Sequence, residues 1–348
     1  MHNGEGIGSS RSANPIERLI LPVDQGYLEP LESPSLVIGG LPSPALEHIP
    51  EPLCVQSFKP YVDSLEARGI ATSLAPVALV ERSFVKLSRF KGLNRFRFAQ
   101  AWAFTQTGGH VVVSGDKTEG VESLIKELKK HLPLEHVLPK SHGKVFWVQK
   151  TDAEGVPAEW LTLADPQTNK DGYKTASGIF SSDKIDLGSA QLADTFDETL
   201  KGNVADLGAG WGYLSHRLLE TSEKVKELHL FEAEATALEM AKLNVTDQRA
   251  SFHWEDVAGL KGFDNSFDLV ISNPPFHETR KSEPDIGKAF IETAARILRS
   301  SGRLLMVANR QLPYEETLDQ KFRSVEKLSE TKGYKIIMAK NPRPRKLR

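Results

Sequence analysis

One cysteine, Cys54, stands among 348 residues. A lone thiol excludes an intramolecular disulfide framework and a cysteine-based zinc cluster, and it suits a reducing compartment. No apolar run approaches the ~20 residues that cross a bilayer, and the amino end lacks a leader pattern. A cytoplasmic protein with no membrane association is expected. The ten histidines show no metal-ligand spacing, so no metal is expected either. There is no G-x-S-x-G nucleophile elbow. The one P-loop candidate, SGDKTEG at 114–120, lacks both the spacing and the Lys-Ser/Thr ending.

Excess charge is missing as well: the net charge is −2, which leaves no whole-molecule field for a nucleic acid. Its distribution is less even. Arg82 to Phe98 holds six basic residues, four phenylalanines and no acid, and Lys335 to Arg348 holds six more basic residues and no acid. Each run is either a track for a phosphate backbone or, more plainly, a solvated face and a frayed end.

Residues 1–34 mix Gly, Ser, Pro and Asn with little apolar periodicity, and read as a flexible arm. Residues 35–150 alternate strand-like runs (SLVIGG at 35–40, LCVQSF at 53–58, VALVE at 77–81, HVVVSGD at 110–116) with a helical pattern at 121–132, which predicts a small α/β domain without a nucleotide-binding glycine cluster. Residues 151–174, polar and broken by Pro and Gly, predict a linker. From 175 to 348 the alternation is regular, with strands at 203–208, 227–233, 251–256, 267–272 and 303–309 and helices at 211–222, 234–245 and 284–302, the last closed by Gly302 as a C-cap. Two terminal strand candidates complete a doubly wound sheet with an antiparallel edge. The two halves look like two copies of one architecture.

DLGAGWG places Asp206, Gly208, Gly210 and Gly212 directly after a strand and before a helix, with Ala209 between the glycines. Glycines there let backbone approach a ligand closely. A dinucleotide fingerprint needs a third glycine where Tyr213 stands, so pyrophosphate is disfavoured, and an acid ahead of the glycines suits a cationic, phosphate-free ligand. Glu232, followed by Ala233, ends the next strand, where an acid commonly holds ribose hydroxyls. Asp256, followed by Val257, ends the third and is placed to accept from an adenine amine. Acids at strand ends also serve as helix N-caps, which is the plainer reading of any one of them. Three together with the glycine spacing describe a pocket for S-adenosylmethionine.

SNPPF at 272–276 follows the fourth strand, beside the same crevice. An amine conjugated to an aromatic ring has a delocalised lone pair and is a poor nucleophile. Two acceptors that take its two hydrogens turn the lone pair out of the plane. The side-chain carbonyl of Asn273 and the backbone carbonyl of Pro274 can be those acceptors, with Pro274 and Pro275 holding them still and Phe276 stacking on the base. Catalysis then rests on proximity and alignment rather than on a strong base. The alternative is an ordinary turn, since Asn-Pro favours turns anywhere.

SGIFSSDKIDLGSAQLADTF (177–196), VADLGAGWGYLS (204–215), ISNPPFHE (271–278), LRSSGRLLMVANRQLPYEETLDQKF (298–322) and GYKIIMAK (333–340) together resemble the bacterial ribosomal RNA guanine-N2 methyltransferases of the small-subunit methyltransferase C group, with the large-subunit group G close behind. The resemblance covers about 177–340. It implies two tandem Rossmann-like methyltransferase-type domains, the first degenerate and used for docking or support, the second a seven-stranded catalytic domain. It further implies that Ile179 to Ser189 folds over the cofactor, with Phe180 and Gly188 in contact, and that the partner is ribosomal RNA or a ribosomal subunit, the small one favoured. Chemically allowed alternatives are methylation of a protein glutamine amide or of adenine N6, and, from another class, a non-catalytic RNA-binding assembly factor.

Overall fold

A computed structural model of the chain describes residues 15–134, 136–152, 155–275 and 283–344, which divide into two compact units. The first takes residues up to Gln56 and Tyr61–Asp165; the second takes Ser57–Pro60 and everything from Pro166.

The first unit contains α1 (Glu17–Asp24), β1 (Ser35–Ile38), β2 (Pro52–Val55), α2 (Lys59–Glu66), which starts within Ser57–Pro60, β3 (Ala71–Ser73), β4 (Val80–Lys86), α3 (Lys91–Phe104), β5 (Thr105–Asp116), α4 (Val121–Leu128), β6 (His136–Lys140) and β7 (Gly143–Gln149). Its sheet runs β3-β2-β1-β4-β5-β7-β6. The strands are parallel except where β7 pairs antiparallel with β5 and β6. Short β3 and proline-bearing β6 form the edges, which limits edge-to-edge pairing with other chains.

The second unit opens with the hairpin β8 (Gln167–Thr168) and β9 (Lys174–Thr175), then α5 (Leu187–Ala193), β10 (Gly202–Leu207), α6 (Tyr213–Thr221), β11 (Val225–Glu232), α7 (Ala235–Asn244), β12 (Ala250–Trp254), β13 (Phe267–Ser272), α8 (Glu283–Ile297), β14 (Leu298–Asn309), α9 (Glu315–Lys321), β15 (Phe322–Glu330) and β16 (Tyr334–Pro342). Its sheet runs β12-β11-β10-β13-β14-β16-β15, again parallel up to an antiparallel β14-β16-β15 edge. The central strands β10 and β13 are almost wholly buried, as expected of strands covered on both faces. Edge strand β15 is largely exposed and carries Arg323, Glu326, Lys327 and Glu330. Two apolar clusters, one per face, hold this sheet. Strand order reverses between β10 and β13, so their carboxyl ends frame the crevice where such sheets bind ligands.

The two tandem α/β units expected from the sequence are thus present, with three local corrections. The flexible arm is wrong from residue 15 on: α1 lies inside 1–34, with Leu19 fully buried and Arg18 1% exposed. Arg18 donates to Ser114 Oγ at 3.1 Å and pairs with Asp116, so long-range partners supply what local periodicity lacks. Strand β4 begins at Val80, not at 77; Val77 and Leu79 are exposed, and the buried part is the stretch whose charges, Arg82 and Lys86, hid it. Gly302 is no C-cap. Helix α8 ends at Ile297 and Gly302 lies within β14, beside a register slip between Phe267 and Leu269. A Cβ there would stand 2.9 Å from the Arg299 carbonyl, so glycine marks a close backbone approach in a strand.

Candidate active site

Strand β10 delivers Asp206 to the crevice with 0% exposure. Its Oδ2 accepts from Ser215 Oγ at 2.7 Å, while Oδ1 is buried and has no hydrogen-bond partner among the described residues. Burial pushes the carboxyl up to about 7; the Ser215 bond opposes this and the Glu232 charge adds to it. At the tip of β11, Glu232 accepts the Gly210 N–H and the Glu234 N–H, each at 2.8 Å. Desolvation nevertheless raises it to about 7 as well. The glycine turn bends between these acids, with φ of +73° at Gly208 and +57° at Gly210, conformations that side chains disfavour.

The amide of Asn273 follows β13. Its Nδ2 donates to Ser189 Oγ at 2.7 Å and to Asp186 Oδ2 at 3.0 Å. Its Oδ1 is buried without a partner among the described residues. Pro274 is buried and Pro275 exposed; Phe276, expected to stack on the base, lies outside the described residues.

An open cavity runs between the glycine turn and Asn273; Asp206 and Glu232 flank that turn without lining the cavity. Its lining includes Phe180, Gly208, Ala209, Gly210 and Asn273, all expected from the sequence. Other expected residues stand around it in different roles. Gly212 opens α6, and a Cβ there would come 2.9 Å from Val245 Cγ2, so it serves helix packing. Gly188 makes room for Tyr334, whose Cε1 would be 2.9 Å from a Cβ. The Ala233 carbonyl is taken by Lys59 N–H at 2.8 Å and Trp254 Nε1 at 2.9 Å, contacts that brace the tips of β11 and β12. Asp256 caps a short 3-10 turn, Val257–Gly259, through the Ala258 N–H at 3.0 Å, the plainer of its two sequence readings. Val257 is core, and its carbonyl accepts from Thr293.

The rest of the lining, Ser181, Asp186, Ser189, Trp211, Tyr213 and Leu214, was not assigned residue by residue from the sequence, although Ile179 to Ser189 was expected to fold over the cofactor. A signal for Asp186 was present: an acid just ahead of the apolar LGSAQLA run is a helix-start pattern. In the structure it caps α5, accepting the Ser189 N–H at 2.9 Å. Trp211, set among the glycines, donates its Nε1 hydrogen to the Phe180 carbonyl at 3.2 Å and so holds the opposite wall.

Among the described residues, the basic side chains of the two runs are largely consumed internally. Lys86 pairs with Glu119, Arg95 with Glu127, and Arg97 donates to the Lys86 carbonyl. Lys335 is 4% exposed and pairs with Glu315, and Arg343 donates to the Phe322 carbonyl. Cys54 is buried and its thiol is pushed up to about 12 by desolvation, so it is no nucleophile. Among the described residues no group of three or more potential ligands could hold a metal ion, and no helix is long and apolar enough to cross a membrane.

A buried acid with a spare oxygen fits a cationic group, and the glycine turn leaves room for a nucleoside without offering a phosphate cradle. Fold and pocket are together those of a Rossmann-like, S-adenosylmethionine-dependent methyltransferase. The family model of the methyltransferase small domain matches residues 172–338. The chain is 32% identical over 260 residues to the ribosomal RNA small subunit methyltransferase C of Cronobacter sakazakii, covering 71% of this chain and 72% of that one. The Klebsiella pneumoniae protein of the same name is 32% identical over 253 residues, 70% of each chain. Among solved structures, the T. thermophilus 16S rRNA N2 G1207 methyltransferase, in complex with AdoMet and guanosine, has the same fold: TM-score 0.79, 24% identity, 94% of this chain and 92% of that one. This chain belongs to the ribosomal RNA small subunit methyltransferase C family.

Proposed function

We propose that this protein methylates the exocyclic N2 of a guanine in small-subunit ribosomal RNA. The observation that carries the reading is the Asn273 carbonyl oxygen, buried beside the cofactor cavity with its lone pairs unclaimed while the amide nitrogen is fully engaged. An acceptor held in that state matches a substrate amine, which has hydrogens to give. The family and its T. thermophilus neighbour, an N2 methyltransferase solved with guanosine, support guanine as the bearer of that amine.

When bound, S-adenosylmethionine supplies a sulfonium methyl group open to displacement by an amine. This chain's residues do the rest. Asp206 Oδ1 receives the cofactor's ammonium, Glu232 the ribose hydroxyls, and Asp256 the adenine amine. Gly208 and Gly210 let the backbone come close. Asn273 Oδ1 and the Pro274 carbonyl take the two amine hydrogens, turning the nitrogen lone pair out of the base plane, and Phe276 stacks on a base that is unpaired or flipped. Asn273 accepts hydrogen bonds without taking a proton, so the proton released on transfer leaves to solvent. The first unit supports the catalytic one or helps dock the particle. With a net charge of −2 and with Lys86, Arg95 and Lys335 paired internally, the protein depends on the shape of its substrate as well as on charge. Such an enzyme works where ribosomes are, in the cytoplasm.

Transfer of labelled methyl from S-adenosylmethionine to separated small subunits, large subunits, deproteinised RNA and a protein extract tests this, with Asn273→Ala as control. N2-methylguanosine in small-subunit RNA, lost in the variant, is the expected result. Label in protein would replace the reading with glutamine methylation, and N6-methyladenosine would replace the base.

A further inference from the structure

We propose that Asp186, assisted by Ser189, is a positioning residue that decides which end of the Asn273 amide faces the substrate. This rests on the reading of Asn273 as acceptor for the substrate amine. The oxygen and nitrogen of an amide are nearly alike in shape, and a half-turn about the last side-chain bond exchanges them. In the productive orientation the oxygen faces the amine; in the flipped one an NH₂ group would meet it, donor against donor. A carboxylate accepts only, so Asp186 selects the first. Its Oδ2 stands 3.0 Å from Asn273 Nδ2, and the flip would set two oxygens at that separation. The Ser189 hydroxyl takes the second Nδ2 hydrogen at 2.7 Å.

Asp186 is itself held. The same Oδ2 accepts the Ser189 N–H at 2.9 Å as the cap of α5. Gly188 lets the helix start pack on Tyr334, and a Cβ there would stand 3.0 Å from that Oδ2. Phe180 and Ser181, a few residues earlier, line the cavity, and the Phe180 carbonyl is tied to Trp211. The segment that walls the cofactor cavity therefore also orients the amide that aims the acceptor. Asp186 touches neither reacting atom; it acts through Asn273.

The test is a double-mutant cycle on the full-length enzyme with small subunits as substrate, reading kcat, KM and, by calorimetry, cofactor Kd. Asp186→Ala is expected to lower kcat about 30-fold with cofactor Kd changed less than about threefold, and to have no further effect in an Asn273→Ala background. Asp186→Asn keeps an oxygen where Oδ2 stands and should stay within about threefold of wild type. Ser189→Ala, which leaves the cap, should cost about fivefold and keeps the test readable if Asp186→Ala does not fold. An undiminished Asp186→Ala loss in the Asn273→Ala background, an Asn variant as damaged as the Ala variant, or a cofactor Kd that rises as kcat falls would each overturn the proposal. If Asn273→Ala alone keeps full activity, the acceptor reading fails. The amide's orientation is then read from its side-chain ¹⁵N resonances: slow hydrogen exchange in wild type and Asp186→Asn but not in Asp186→Ala supports the inference, and equal protection in all three sinks it.

Discussion

The two units share one strand order, and their strand tips carry opposite chemistry. Strands β5 and β14 have the same length and nearly the same burial pattern, and each adjoins a register slip at the same place, next to Gly109 in one and Gly302 in the other. Pairing register then aligns the rest. Val37 holds the place of Asp206, since Val37 pairs with Phe84 as Asp206 pairs with Ile271. Gln56 holds the place of Glu232, and Lys86 that of Asn273. A Cβ on Gly208 would stand 3.0 Å from Phe290 Cε1, and one on its counterpart Gly39 would stand 2.5 Å from Arg97 Nη1. Gln56 turns its amide back onto the Gly40 carbonyl at 2.7 Å, and Lys86 is neutralised by Glu119. One sheet keeps two acids at its tips, Asp206 buried and with one oxygen unclaimed; the other fills the same places with an apolar side chain, an amide and cations already bonded. The fold supplies a crevice in both units, and the residues at its strand tips differ in whether they leave a charge-bearing group for a ligand.

The largest effect should come from moving one residue across that comparison. Asp206→Val installs the first unit's residue in the second and removes the partner of a ligand cation. Cofactor affinity should fall about 100-fold by calorimetry, given ~1.5–3 kcal/mol for a charge-assisted bond. In the cofactor-free protein the variant leaves the buried Ser215 hydroxyl without its acceptor while removing a buried acid, so its thermal midpoint is read alongside as the folding control. Unchanged affinity would remove Asp206 from the site.

Next in size is the converse, breaking the filled tip of the first unit. Glu119→Gln leaves the Lys86 ammonium, 5% exposed, without its counter-ion. Burial already lowers the lysine's pKa and Glu119 opposes that shift, so the variant should lose about 2 kcal/mol in denaturant unfolding. Lys86→Met added to Glu119→Gln should recover most of it. No recovery would mean that the pair does more than hide a charge.

The second unit's β10 and β11 tips should also carry a pH dependence that the corresponding tips of the first unit lack. Asp206 and Glu232 are both raised to about 7, whereas Val37 and Gln56 do not titrate. An acid whose folded pKa exceeds its unfolded value, near 4, favours the folded state most at low pH, and that contribution is lost as pH rises from about 4 through 7. Cofactor binding runs the other way. A cation prefers the ionised carboxyls, so protons must leave, and affinity should weaken by up to about tenfold per carboxyl between pH 7 and pH 6, levelling above 7. Calorimetry in buffers of different ionisation heat would show the proton release, and Asp206→Asn should remove one share of it.

How much of this was legible in the sequence depends on where each residue finds its partners. The second unit's strands and glycine turn were readable because local periodicity and punctuation agree with the tertiary structure there; 267–272 matches β13 end to end. The first unit was harder, since Arg18, Arg82 and Lys86 are buried on partners 98, 53 and 33 residues away, which no window of sequence contains. In the site, Asn273 and Asp206 could be named from type and position. Asp186 could not, because its role depends on an amide 87 residues on. Gly212 was assigned to the ligand on the general use of glycine near ligands and Gly188 on the family resemblance, whereas the structure spends both on close packing.

The smallest expected effect separates the two readings of Asp256. Its Oδ1 caps the 3-10 turn, and its other oxygen remains for the adenine amine. Asp256→Ser retains a cap of similar strength and removes that oxygen. The thermal midpoint should therefore hold while cofactor affinity falls about fivefold, near 1 kcal/mol for a single neutral-donor bond. Asp256→Ala should lose both, with about 1 kcal/mol of stability gone with the cap. If Asp256→Ser binds the cofactor as wild type does, the third acid is a cap and nothing more.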